Sequence, residues 1–132
     1  MKNEPIFSWD EEIGFASCIL TDGENTYYGH AQCAPDDLEF CSQKVGCEIA
    51  FYRARIAMYK NYRDTLRIKL NTLRNFYYTI NQSQQFQPKG YETRMLNRQI
   101  RLVEDDIKTV KALLENEKNN LNDYLKVKAK LH

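Results

Sequence analysis

Two kinds of hydrophobic spacing divide this chain. Between Ile13 and Cys33 apolar residues recur close to a period of two, and from Val45 onward they step by three and four. The first spacing predicts strands and the second predicts amphipathic helices. Ile13 to Leu20 and Thr26 to Cys33 flank T-D-G-E-N, whose Asp22-Gly23 pair is a hairpin-turn signal. Within the first strand Ile13, Phe15, Ser17 and Ile19 alternate with Gly14, Ala16, Cys18 and Leu20. Both faces are apolar, so one needs a helix or a partner to cover it. Phe7 and Trp9 precede this strand, placed for a short edge segment or a hydrophobic clasp.

Downstream, one heptad frame runs through Val45, Ile49, Tyr52, Ile56, Tyr59, Arg63, Leu66, Leu70, Leu73, Tyr77 and Ile80. A second runs through Leu96, Ile100, Val103, Ile107, Val110, Leu114, Glu117, Leu121 and Tyr124. The loop N-Q-S-Q-Q-F-Q-P-K-G lies between them, with Pro88 and Gly90 breaking helicity, so the helices return antiparallel as an αα-hairpin. The expected architecture is α+β in one domain. Residues 1–36 form a β-hairpin or small antiparallel sheet, 37–81 a first long helix of about 65 Å, 82–90 a loop and 91–131 a second long helix. Pro35, Asp36 and Asp37 supply the first helix with a turn and capping oxygens. Gly46, Ala50, Ala54 and Ala57 recur at helical spacing, which predicts something packed very close to the first half of that helix.

Arg63 occupies a seam position, and folding about the loop predicts an ion pair with Asp105 or Asp106. Phe51, Ile68 and Phe76 on the first helix and Leu102, Leu113 and Leu125 on the second form an apolar set beyond the seam. Two helices cannot bury two stripes, so the chain is expected to self-associate as a dimer or higher oligomer.

A formal charge of +1, from 19 basic and 18 acidic residues, gives no global drive toward duplex nucleic acid or an anionic membrane. The N-terminus M-K-N-E-P-I-F-S-W-D-E-E is too polar for a signal peptide and no run of 18 apolar residues exists, so a cytoplasmic protein without a membrane partner is expected. Cys18, Cys33, Cys41 and Cys47 are then expected as reduced thiols. The competing Cys₃His zinc set, with His30, lacks any C-x₂-C pair.

No nucleophile–base set, Walker-type loop or H-E-x-x-H motif is present, so the expectation is binding without catalysis and without a cofactor. The candidate site lies at the loop end of the helical hairpin. Arg94, Arg98 and Arg101 fall at i, i+4 and i+7 on one helix face, where guanidinium forks can hold phosphates bidentately. Phe76, Tyr77, Tyr78 or Tyr91 could stack on a base, and Asn81 and Asn97 could read its edge or a ribose. The plainer account is a solvated basic face. Arg53 and Arg55, near the small-residue face, form a second, weaker cluster.

Three segments carry a resemblance: the hairpin ending G-H-A-Q-C-A-P-D-D, the helix entered through V-G-C-E-I-A-F-Y-R-A-R-I, and R-M-L-N-R-Q-I on the returning helix. Together they resemble small phage proteins of the first Thoeris anti-defence family. The resemblance implies an N-terminal antiparallel sheet with two long helices, assembled as dimers or higher oligomers in the infected bacterial cell. It implies a sponge that sequesters a cyclic ADP-ribose isomer made by TIR-domain immune proteins without cleaving it, with cyclic oligonucleotides as further ligands. Carried onto this chain, the pocket maps to Arg94 and Arg98 with Phe76 or Tyr77, and Asn81 or Asn97 as polar readers. The alternative is a coiled-coil interaction module, a phage inhibitor docking on a host protein or on nucleic acid.

Overall fold

Asp22 closes a tight turn through its side chain. Its Oδ1 accepts the backbone N–H groups of Glu24 (2.9 Å) and Asn25 (2.8 Å), and its Oδ2 accepts the Tyr27 hydroxyl at 2.9 Å. Gly23 takes φ +95°, a left-handed conformation open to glycine without strain. In the computed structural model, which describes residues 4–33, 42–82 and 90–130, this turn joins β2 (Phe15–Thr21) to β3 (Thr26–Gln32). The segment holding Phe7 and Trp9 is a third strand, β1 (Ile6–Asp10), so the expected hairpin is one half of a three-stranded antiparallel sheet of order β1-β2-β3. The register sets Phe7 beside Cys18 and Trp9 beside Ala16, and carries Cys18 on to Gly29 and Ala16 on to Ala31.

Two helices follow, α1 (Gln43–Gln82) and α2 (Gly90–Lys130). The Asp36/Asp37 cap and Pro88 lie outside the described residues. In the described part, Ser42 opens α1: its Oγ accepts the Val45 N–H at 3.4 Å and its carbonyl accepts the Gly46 N–H at 2.9 Å. Gly90 was expected to break helicity and instead begins α2, a position where the glycine penalty is small because the first N–H groups of a helix are unpaired anyway.

The chain divides into two compact units, residues 1–60 with 114–132, and residues 61–113. In the first, the inner sheet face packs on the small-residue face of α1. Ala16, Cys18, Leu20, Ala31, Ala50 and Ala54 form its buried core, with Trp9, Cys47, Ile49, Phe51 and Met58 against it. The clearance is minimal at Gly29, where an added Cβ would lie 2.0 Å from the Ala50 carbonyl oxygen and 2.4 Å from the Ala54 nitrogen. The close packing predicted from Gly46, Ala50 and Ala54 is therefore sheet against helix backbone.

Farther along the same unit, Glu117 sits in the heptad frame of α2 and is 4% exposed. Arg55 Nη2 meets its Oε2 at 2.9 Å, and the guanidinium also lies over the Phe51 ring, 5.3 Å from the centroid. A buried carboxylate needs such a partner, because leaving it unpaired costs several kcal/mol in effective desolvation.

The second unit is a helical hairpin. Leu70, Val103 and Ile107 are buried, with Leu66, Leu73 and Ile100 packed against them, as the two heptad frames predict. The ion pair expected between Arg63 and Asp105 or Asp106 is not what forms. Arg63 Nε instead bonds its neighbour Asp64 at 3.0 Å, while Asp105 and Asp106 are exposed on turns that point outward between the seam residues Val103 and Ile107. Arg74 and Glu104 form an interhelical ion pair in this unit, at 2.6 Å.

Cysteine chemistry also departs from expectation. Cys33 is disulfide-bonded, whereas Cys18 and Cys47 are free. The strand pattern separates them: Cys18 points into the core from β2 and Cys47 packs against that core from α1, while Cys33 follows the end of β3. Burial pushes both free thiols above their ordinary pKa, with Cys47 adding a smaller push to Cys18.

Candidate functional site

In α2, Arg94, Arg98 and Arg101 share one face and all three are exposed. Among the described residues none of them makes a hydrogen bond or ion pair, in contrast with Arg53, Arg55, Arg63 and Arg74. At 100° per residue this face lies roughly 160° around the helix from Leu96, Ile100, Val103 and Ile107, the residues of the seam. The guanidinium groups therefore point away from α1.

That rotation separates the predicted site into two parts. Tyr77 is half-buried in the seam and Phe76 is 56% exposed on its flank, both on α1. Asn97 is half-buried beside the seam. Asn81 spends an amide N–H on the Tyr77 carbonyl, at 2.9 Å, so that donor is held by its own helix. One protomer does not bring these aromatics onto the arginine face. Arg53 stands in the other unit, where its Nη1 donates to the His30 carbonyl at 2.8 Å. It ties α1 to β3 and is not an idle anion ligand. His30 itself stacks on Phe15, with ring centroids 5.7 Å apart.

At its N-terminal end the arginine face meets a second anion-attracting feature. Arg94 reaches back over the start of α2, where a Cβ on Gly90 would fall 3.3 Å from the Arg94 Nη1. The first turn of a helix offers unpaired N–H groups and the positive end of its dipole. Glu92 is the acidic residue of that turn. The combination of a guanidinium, bare glycine backbone and a helix start suits a phosphate or carboxylate oxygen.

The described residues do not assemble the zinc set. Cys33 is in a disulfide, Cys47 is packed against the core, Cys41 lies outside the described residues, and no group of three His, Cys, Asp or Glu side chains gathers among the described residues.

Two open clefts in the first unit were not foreseen. One, of about 540 Å³, is lined by Phe7, Ser42, Gln43, Lys44 and Cys47; the other, of about 370 Å³, by Tyr52, Asn120, Asp123, Tyr124, Val127 and Lys128. The sequence signal for the second was the presence of tyrosine, rather than an aliphatic residue, at two seam positions. Their rings lie 5.6 Å apart.

No protein-family model, curated protein or solved structure matches this chain.

Proposed function

We propose that this protein is a non-catalytic sponge that binds a cyclic ADP-ribose-type signal nucleotide through the arginine face of α2. The observation that carries the reading is the set of three unpaired, exposed guanidinium groups, of which Arg94 lies over the helix start. A pyrophosphate spanning Arg94 and Arg98 would meet two forks and the positive end of the dipole. Because the arginine face points away from Phe76 and Tyr77, those two rings reach a ligand held there only from a second copy of the chain. This reading therefore makes the functional species an oligomer, whose further contacts use exposed Ile68, Leu102 and Leu113.

The test is calorimetry with a cyclic ADP-ribose isomer, followed by heat release and mass spectrometry of the ligand. Charge-assisted bonds to phosphate contribute about 1.5–3 kcal/mol each, so Arg98→Ala weakens binding about ten- to a hundred-fold. Arg98→Lys recovers little, because a point charge does not reproduce the fork. The released ligand is chemically intact. Unchanged affinity in a folded Arg94→Ala/Arg98→Ala protein, or hydrolysed product in excess of protein, removes the reading.

The outward direction of the arginine face favours a second reading, a docking module that uses α2 as a continuous basic strip against a host protein or nucleic acid. In that case the isolated protein is monomeric by light scattering and shows no affinity for the nucleotide.

A further inference from the structure

The cleft on the first unit has a chemistry of its own, independent of the function proposed above. Tyr52 of α1 and Tyr124 of α2 line it, their rings 5.6 Å apart and tilted by 48°, so they form a corner rather than a stack. Lys128 Nζ lies 5.2 Å from the centroid of the Tyr124 ring. One wall of the cleft thus already holds a primary ammonium group against an aromatic face, an attraction that arises from the ring quadrupole.

The remaining lining extends the same preference. Val127, 57% exposed, offers methyl groups to an alkyl chain, while Asp123 and Asn120 bring a carboxylate and an amide to the rim. Behind the rings the wall is electronegative. There the Glu48 carboxylate stands beside the Tyr124 hydroxyl and adds to burial in holding it protonated. At about 370 Å³ the cleft falls in the range of small-molecule sites.

We propose that this cleft binds a primary alkylammonium ligand of the polyamine type, with Lys128 as a built-in competitor that swings out when the ligand enters. The ammonium head takes the position Lys128 occupies on Tyr124, the alkyl chain runs along Val127 and Tyr52, and a second amine pairs with Asp123.

Calorimetry with spermidine at constant ionic strength tests this on the full-length protein. Lys128→Gln is expected to bind about five-fold tighter than wild type, because the internal cation no longer competes. Asp123→Asn and Tyr52→Leu are each expected to bind several-fold more weakly. Asp123 is exposed, so its substitution keeps the test open if the tyrosine variant fails to fold. Magnesium at matched charge is expected to displace spermidine poorly, since it lacks an alkyl chain. The proposal is overturned if neither wild type nor Lys128→Gln binds at millimolar spermidine. It is equally overturned if Lys128→Gln leaves the affinity unchanged, or if magnesium competes as well as a second polyamine, the behaviour of a diffuse negative surface.

Discussion

Each of the two units is packed internally by its own strategy, and the two strategies are opposite. Where the sheet meets α1 the contact is made by the smallest side chains: Gly29 on the strand, with Gly46, Ala50 and Ala54 on the helix. In the helical hairpin it is made by large aliphatic ones, Leu66, Leu70, Leu73, Ile100, Val103 and Ile107. Small residues let backbone approach backbone and leave nothing that can move aside. Leucine seams fill space with side chains that change rotamer to absorb a misfit. The first contact fixes position sharply, and the second buries more apolar area per residue.

This contrast is broken most severely at Gly29. A Cβ there would stand 2.0 Å from a backbone oxygen, so Gly29→Ala is expected to cost more than about 3 kcal/mol or to prevent folding, read as a fall in the urea midpoint. Gly46→Ala sharpens the point. Its Cβ would meet only side chains, Trp9 at 3.0 Å and the Ala16 Cβ at 3.1 Å, and alanine gains about 1 kcal/mol in helix propensity. It is expected to change stability by less than about 1 kcal/mol.

In the leucine seam the response is graded. Leu70→Ala leaves a cavity and is expected to cost about 2–4 kcal/mol, whereas Leu70→Met is expected to cost less than about 1.5 kcal/mol. A seam that tolerates neither substitution would erase the distinction between the units.

Smaller effects come from ionisation. Cys18, Cys47 and Tyr124 all have folded-state pKa values raised above the ordinary 9.0 for the thiols and 10.0 for the phenol, chiefly by burial. A raised folded value means the native state holds the proton more tightly than the unfolded chain. The stabilisation is fully present below the unfolded value and is lost as pH rises through the folded one. The melting temperature is therefore expected to be level near neutrality and to fall as pH rises past about 9. Cys18→Ala should flatten the onset of that fall, and Tyr124→Phe its upper part. Smallest of all, Arg74→Gln is expected to alter stability by about 0.5 kcal/mol or less, because its pair with Glu104 is solvent-exposed.

Much of this was legible in the chain. The heptad frames placed Leu70, Val103 and Ile107 in the seam, and the Gly46–Ala50–Ala54 spacing announced a close contact before its partner was known. Periodicity reports which face of an element is buried, and these features depend on nothing else. The partner itself, Gly29, was hidden because a glycine in a strand signals a bulge, a bend and a close approach alike. Arg63 went to Asp64 because Asp105 and Asp106 lie exposed between the seam residues Val103 and Ile107, outside the seam that Arg63 occupies. The direction of the arginine face was legible as well. Arg94, Arg98 and Arg101 lie on the far side of the helix from the seam in the same frame that predicted the seam. The disulfide of Cys33 had no sequence signature beyond the even count of cysteines.

The near-contact of Gly29 with Ala50 and Ala54 also acts as an alignment key. Sliding α1 by one residue along β3 rotates it by about 100° and would present Ile49 or Phe51 where only alanine fits. Strand and helix therefore cannot drift independently as sequences diverge. A side chain at position 29 would strike the backbone at 50 and 54, atoms that no change of side chain removes, so glycine is held at 29 and a small residue at 50 and 54, on a segment 21 or 25 residues away. Distant kin of this chain would then be recognisable by a bipartite signature, a G-x-A in the third strand joined to an A-x-x-x-A on the following helix, even where every surface residue had changed.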